Sequence, residues 1–124
     1  LNQRASEIFC DITKNKYREI HIQKDYTILI NNNGFDREYD KFSNGTIDQA
    51  YFSLRIAISE LISESSKDVP LLLDDIFMQY DEVRLVCLLK FLKNYSNLSK
   101  RQIVLFTCHN RIKELALENS IIDC

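Results

Sequence analysis

The spacing of apolar residues changes period along the chain, and each change marks an element. Leu1, Ala5, Ile8, Phe9 and Ile12 recur at helical spacing with no capping residue before them, which predicts over residues 1–13 the last turns of a longer helix entering from upstream. Residues 17–23, 26–31 and 35–39 then read as three short strands. Lys24-Asp25 and Asn33-Gly34 separate them, the second being the strongest hairpin signal in the chain, so an antiparallel meander is expected.

From Thr46 the period is helical again, with Ile47, Ala50, Tyr51, Leu54, Ala57, Ile58, Leu61 and Ile62 on one face up to about residue 65. Thr46 followed by Gln49 is a capping-box pattern, which places the helix start close to Gly45. After Pro70 the apolar run Leu71-Leu72-Leu73 stops abruptly at Asp74-Asp75. Asp81 can cap a helix carrying Leu85, Leu88, Leu89, Leu92 and Tyr95, and a second apolar run, Gln102 to Thr107, ends at Cys108-His109. Asn110 is placed to cap a last helix through Leu117. Two buried strands joined by one amphipathic helix predict a right-handed parallel βαβ unit, and the fold class is α/β.

Composition narrows the chemistry. The 124 residues include two glycines, Gly34 and Gly45, which cannot supply a GxxxxGK phosphate cradle or a GxGxxG dinucleotide turn. The chain alone therefore lacks either glycine-rich route to a nucleotide. Sixteen Lys and Arg against eighteen Asp and Glu, a net of −2, give no global basic field for nucleic acid or an anionic membrane. No apolar run reaches the roughly 18 residues that span a bilayer, and the N-terminus has no signal-peptide character, so a soluble, cytoplasmic protein is expected, with nucleoid association open to it. Cys10, Cys87, Cys108 and Cys124 have no CxxC spacing and read as buried free thiols. The opening on Leu1 suggests a piece cut from a longer product.

Ligands of open parallel α/β sheets bind beyond the carboxyl ends of the strands, where this chain carries Asp74, Asp75 and His109. A carboxylate at such a strand end suits Mg²⁺, which takes hard oxygen ligands and keeps several waters. The same Asp pair also suits a simple strand-to-loop cap, and His109 by itself suits an ordinary turn. His21, between Ile20 and Ile22 in an expected strand, is assigned no function. Ser43-Asn44-Gly45-Thr46 precedes a helix, where exposed backbone N–H groups and a hydroxyl can meet a phosphate oxygen, although the sequence is equally an ordinary loop and cap.

Taken in order, SNGTIDQAYFSLRIAISEL, PLLLDDIFMQYDEVRL and RQIVLFTCH resemble the C-terminal half of an ABC-type ATPase head. The variety is that of SbcC-like and SMC-like DNA-repair and chromosome-maintenance proteins, and above all of YhaN-type AAA-domain proteins. The resemblance implies a P-loop-NTPase-type C-terminal lobe over residues 14–124, with residues 1–13 as the end of a coiled-coil helix. It implies a signature loop at Ser43, Asn44, Gly45 and Thr46, a Walker B strand from Leu71 to Asp75, a D-loop ending at Asp81, and a switch histidine at His109. It further implies ATP and Mg²⁺ as cofactors, with Asp74 supporting the metal, Asp75 orienting or deprotonating the attacking water, and His109 contacting the γ-phosphate. The glycine-rich loop would come from the protein's own N-terminal Walker A lobe, and the signature and Asp81 would face a second head in an ATP-held homodimer. DNA, and a nuclease partner, come with the resemblance rather than with any residue seen here.

Two departures stand out. Ser43-Asn44-Gly45 carries a side chain where ABC heads usually have Ser-Gly-Gly, and Asp75 is one methylene shorter than the usual glutamate. They are the support for an alternative, a non-hydrolysing dimerisation or DNA-binding module of the same fold. A third class, an unrelated Mg²⁺ enzyme at the acidic strand end, lacks a second DxD strand and a strand-end lysine. Lys90, Lys93, Lys100 and Arg101 form a modest basic group that reads as a solvated face.

Overall fold

A computed structural model of the chain describes residues 1–25, 27–32, 35–38, 44–62, 69–74 and 80–119. The chain divides into two compact units, residues 1–64 and 65–124.

The first unit opens with α1 (Asn2–Ile12), whose Ala5, Ile8, Phe9 and Ile12 are fully buried along one face. Each large side chain of that set contributes about 1.5–3 kcal/mol by leaving water. Lys14 and Asn15 take positive φ of 53° and 67°, turning the chain so that Tyr17 stacks on Phe9 with ring centroids 5.7 Å apart. Ser6 then braces the first strand: its hydroxyl accepts from the Ile20 N–H at 3.0 Å and donates to the Ile20 carbonyl at 3.1 Å.

The expected meander is present as β1 (Ile20–Ile22), β2 (Ile28–Asn32) and β3 (Phe35–Glu38), paired antiparallel in that order. Ile20 lies opposite Ile30 and Ile22 opposite Ile28, and Ile20, Ile28 and Ile30 are buried. The Lys24-Asp25 turn is closed by the Thr27 N–H donating to the Asp25 carboxylate at 3.1 Å, which holds that carboxyl below the usual Asp range. Asn32 pairs with Phe35, and the Asn33-Gly34 link between them lies outside the described residues. β1 is shorter than expected: it begins at Ile20, after Tyr17 has stacked on Phe9.

Helix α2 (Asn44–Ile62) differs from expectation in two respects. It starts at Asn44, so Gly45 and Thr46 lie within its first turn instead of flanking it, and Thr46 is not the cap. Its buried side is also rotated from the most apolar stripe. Thr46, Gln49, Ala50, Phe52, Ser53, Ile56 and Ala57 are buried, while Tyr51, Ile58, Leu61 and Ile62 are exposed, Ile62 at 76%. The reason lies in α1, which packs along α2. Arg4 of α1 forks onto Glu60, with Nε 2.7 Å and Nη2 2.9 Å from its two carboxylate oxygens. That hydrogen-bonded pair, weighed against partial burial, holds the guanidinium above its usual range. Ile56, Ser53 and Gln49 recur at four, three and four positions back from Glu60 and therefore share its side of the helix. Ser53 is buried there because its hydroxyl donates to the Gln49 carbonyl at 2.8 Å.

The second unit holds β4 (Leu71–Asp74), α3 (Glu82–Ser99), β5 (Ile103–Phe106) and α4 (Asn110–Glu118), with β4 and β5 paired parallel. The βαβ order is as expected, and α3 buries Leu85, Leu88, Leu89, Leu92 and Tyr95 as its periodicity predicts. The strands are not buried on both faces, however. Leu71 and Leu73 point inward, whereas Leu72, at 55% exposure, and Asp74 point outward, and Phe106 opposite Asp74 is also 55% exposed. Within the described residues of this unit, the outward face of the strand pair is thus more exposed than the inward one. Arg101 departs from the solvated face expected of it: it is buried, and its Nε donates to the Val69 carbonyl at 3.0 Å. The described thiols are less buried than expected, with Cys10 and Cys87 half-buried and Cys108 exposed, and none of the three forms a disulfide; Cys124 lies outside the described residues. No described helix is long and apolar enough to cross a membrane.

Candidate functional site

Parallel pairing decides what the second unit brings together. Leu71 lies opposite Ile103 and Asp74 opposite Phe106, so both strands end at the same level. Asp74 therefore stands exposed at the carboxyl end of β4, beside the segment running from Phe106 to His109. That segment is turned by the His109 N–H, which donates to the Thr107 hydroxyl at 3.1 Å. His109, not Asn110, occupies the N-cap position of α4, in extended backbone and without a side-chain capping bond, while Asn110 is the first helical residue. The His109 carbonyl accepts from the Ile112 N–H at 3.2 Å, and His109 is an exposed residue at the helix start.

Asp81 is placed as the sequence predicts. It caps α3, one carboxylate oxygen accepting from the Arg84 N–H at 2.8 Å and the other from the Arg84 guanidinium at 2.9 Å. Tyr80 just before it is buried, and its carbonyl accepts from Arg111 Nη2 at 2.8 Å. Arg111 carries no periodicity or motif signal, and sequence reasoning passes over it. A contact to a backbone carbonyl leaves no mark on the identity of the residue contacted.

Gly45 and Thr46 belong to the first unit, in the opening turn of α2, where both are buried, Thr46 at 2% exposure. Asn44 is the first residue of that helix. Ser43 and Asp75 lie outside the described residues. Among the described residues no group of three or more His, Cys, Asp or Glu is arranged to hold a metal. Asp74 offers one accessible hard-oxygen ligand, a donor set that fits Mg²⁺, which is commonly held by one or two carboxylates together with nucleotide phosphates and water.

No protein-family model matches the chain. Its fold is found in solved structures of SMC ATPases. One comes from work on ATP-driven dimerization and DNA-stimulated activation of these enzymes, with a TM-score of 0.69 and 15% identity, covering 93% of this chain and 71% of that one. Another is the Smc head domain with an extended coiled coil, bound to the C-terminal domain of ScpA, from Pyrococcus furiosus, with a TM-score of 0.62, 15% identity, and coverage of 92% and 29%. The fold is thus similar to that of SMC ATPase head domains. In sequence the chain is related to the uncharacterized protein YhaN of Bacillus subtilis (strain 168), 32% identical over 124 residues. The match takes in 98% of this chain and 13% of the length of YhaN.

Proposed function

We propose that this lobe completes an ATP-binding and hydrolysis site across a head-to-head dimer of a longer, YhaN-like protein, in the setting of DNA repair or chromosome maintenance. The observation that carries the reading is the parallel β4–β5 register, which puts Asp74 and the segment leading to His109 at one end of one sheet. ATP and Mg²⁺ supply the transferable phosphoryl group and its charge neutralisation. Asp74 holds the metal, Asp75 orients the water or takes its proton, and His109 meets the γ-phosphate side. Ser43, Asn44, Gly45 and Thr46 serve the partner head's nucleotide, and Asp81 lies at the seam. A lobe with the glycine-rich loop joins this one through the coiled coil whose end is α1, and DNA engages the whole protein.

The exposed outward face of the β4–β5 pair supports a lobe of this kind rather than a self-sufficient enzyme, since parallel sheets are buried on both faces. The isolated 124-residue chain is expected to show no Mg²⁺-dependent ATP hydrolysis. In a complete head, Asp75→Asn and His109→Ala are each expected to lower turnover by about 100-fold or more, the range of acid–base and charge-positioning contributions. Steady-state phosphate release measures both. Turnover unchanged by either substitution would refute the site. ATP-driven dimerisation with no phosphate release in a single turnover would instead select the non-hydrolysing module.

A further inference from the structure

Arg111 lies two residues beyond His109 and spans thirty-one positions to reach the carbonyl of Tyr80, the residue that leads into Asp81. Both ends of this link are fixed. Tyr80 is 3% exposed, and Asp81 is locked onto α3 by its two bonds from Arg84. On the other side, the turn at Thr107 and the first hydrogen bond of α4 set the backbone of His109. α4 itself gives no reason for an arginine here, because a cation in the first turn of a helix opposes the helix dipole. The guanidinium is explained by what it reaches.

The geometry points to Arg111 as a positioning residue that holds the His109 segment and the Asp81 segment in one arrangement, so that the γ-phosphate side of the site and the dimer seam are set together. This rests on the proposed ATPase reading. A displacement of about 1 Å at a reacting centre is enough to cost one to two orders of magnitude in rate. An interaction that only positions acts on kcat and leaves nucleotide affinity nearly unchanged.

The test uses a complete head with Mg²⁺ and ATP. Arg111→Ala is expected to lower kcat by about 10-fold while KM for ATP stays within about 2-fold and the thermal midpoint is retained. Arg111→Lys, whose ammonium can still donate to one carbonyl, is expected to recover most of the loss. In the His109→Ala background Arg111→Ala should cost little further, because the two act as a unit. A normal kcat for Arg111→Ala, a lysine variant no better than alanine, or a full independent loss added to His109→Ala would each overturn the inference. An Asp75→Asn head measured alongside separates the two readings. If it is inactive while Arg111→Ala is normal, only the role of Arg111 fails; if it is fully active, the site itself does.

Discussion

Asp48 is half-buried on α2, and withdrawal from water pushes its carboxyl above the usual Asp range. A raised folded-state pKa means that the folded chain binds the proton more tightly than the unfolded one. Ionised Asp48 therefore costs stability at neutral pH, and the cost fades as pH falls through the raised value. It is gone below the ordinary Asp pKa of about 3.9, where both states are protonated. Asp48→Asn is accordingly expected to melt higher than the parent at pH 7, with the gap closing on acidification. Thermal melts at several pH values check this, and a variant less stable at pH 7 with a pH-independent gap would show that burial is not the dominant cause. Asp25 shows the opposite case, a carboxylate favoured by a backbone N–H in a turn.

At the level of elements, α3 was legible in the sequence and α2 only half so. Asp81 and its helix follow from local rules, since a capping carboxylate needs nothing beyond the N–H three residues on. Asp81→Ala is expected to cost about 1 kcal/mol of stability, and Asp81→Asn to restore it, because asparagine caps as well. Denaturant titration measures both. Asp81→Asn then serves in a complete head as a variant in which the helix is intact and only the charge at position 81 is changed. In α2, periodicity selected the stripe of Ile47, Ala50, Tyr51, Leu54, Ala57, Ile58, Leu61 and Ile62, of which Ala50 and Ala57 are buried. The structure shifts burial toward the adjoining positions Thr46, Gln49, Phe52, Ser53 and Ile56, where Ser53 donates to the Gln49 carbonyl and Arg4 reaches Glu60 across 56 positions. Those partners are distant or invisible to a hydrophobicity count. Asp74 could be placed because an apolar strand stops there. Arg111 could not, because its partner is a carbonyl.

For the molecule as a whole, the exposed sheet face and the outward stripe of α2 are apolar surfaces of a kind that soluble monomers keep small. A two-stranded parallel pair with one open face is also weakly protected. In the isolated chain the amides of β4 and β5 are expected to exchange with deuterium faster than those of α3, and to slow by about 10-fold or more in a complete head. Equal protection in both would mean that nothing further covers the sheet. The same open face has a historical consequence. Leu72 and Phe106 are each 55% exposed on that side, so among related proteins their identities should vary in step with a segment far away in the sequence. Co-variation would then reveal the covering element from aligned sequences alone, before any larger structure is seen.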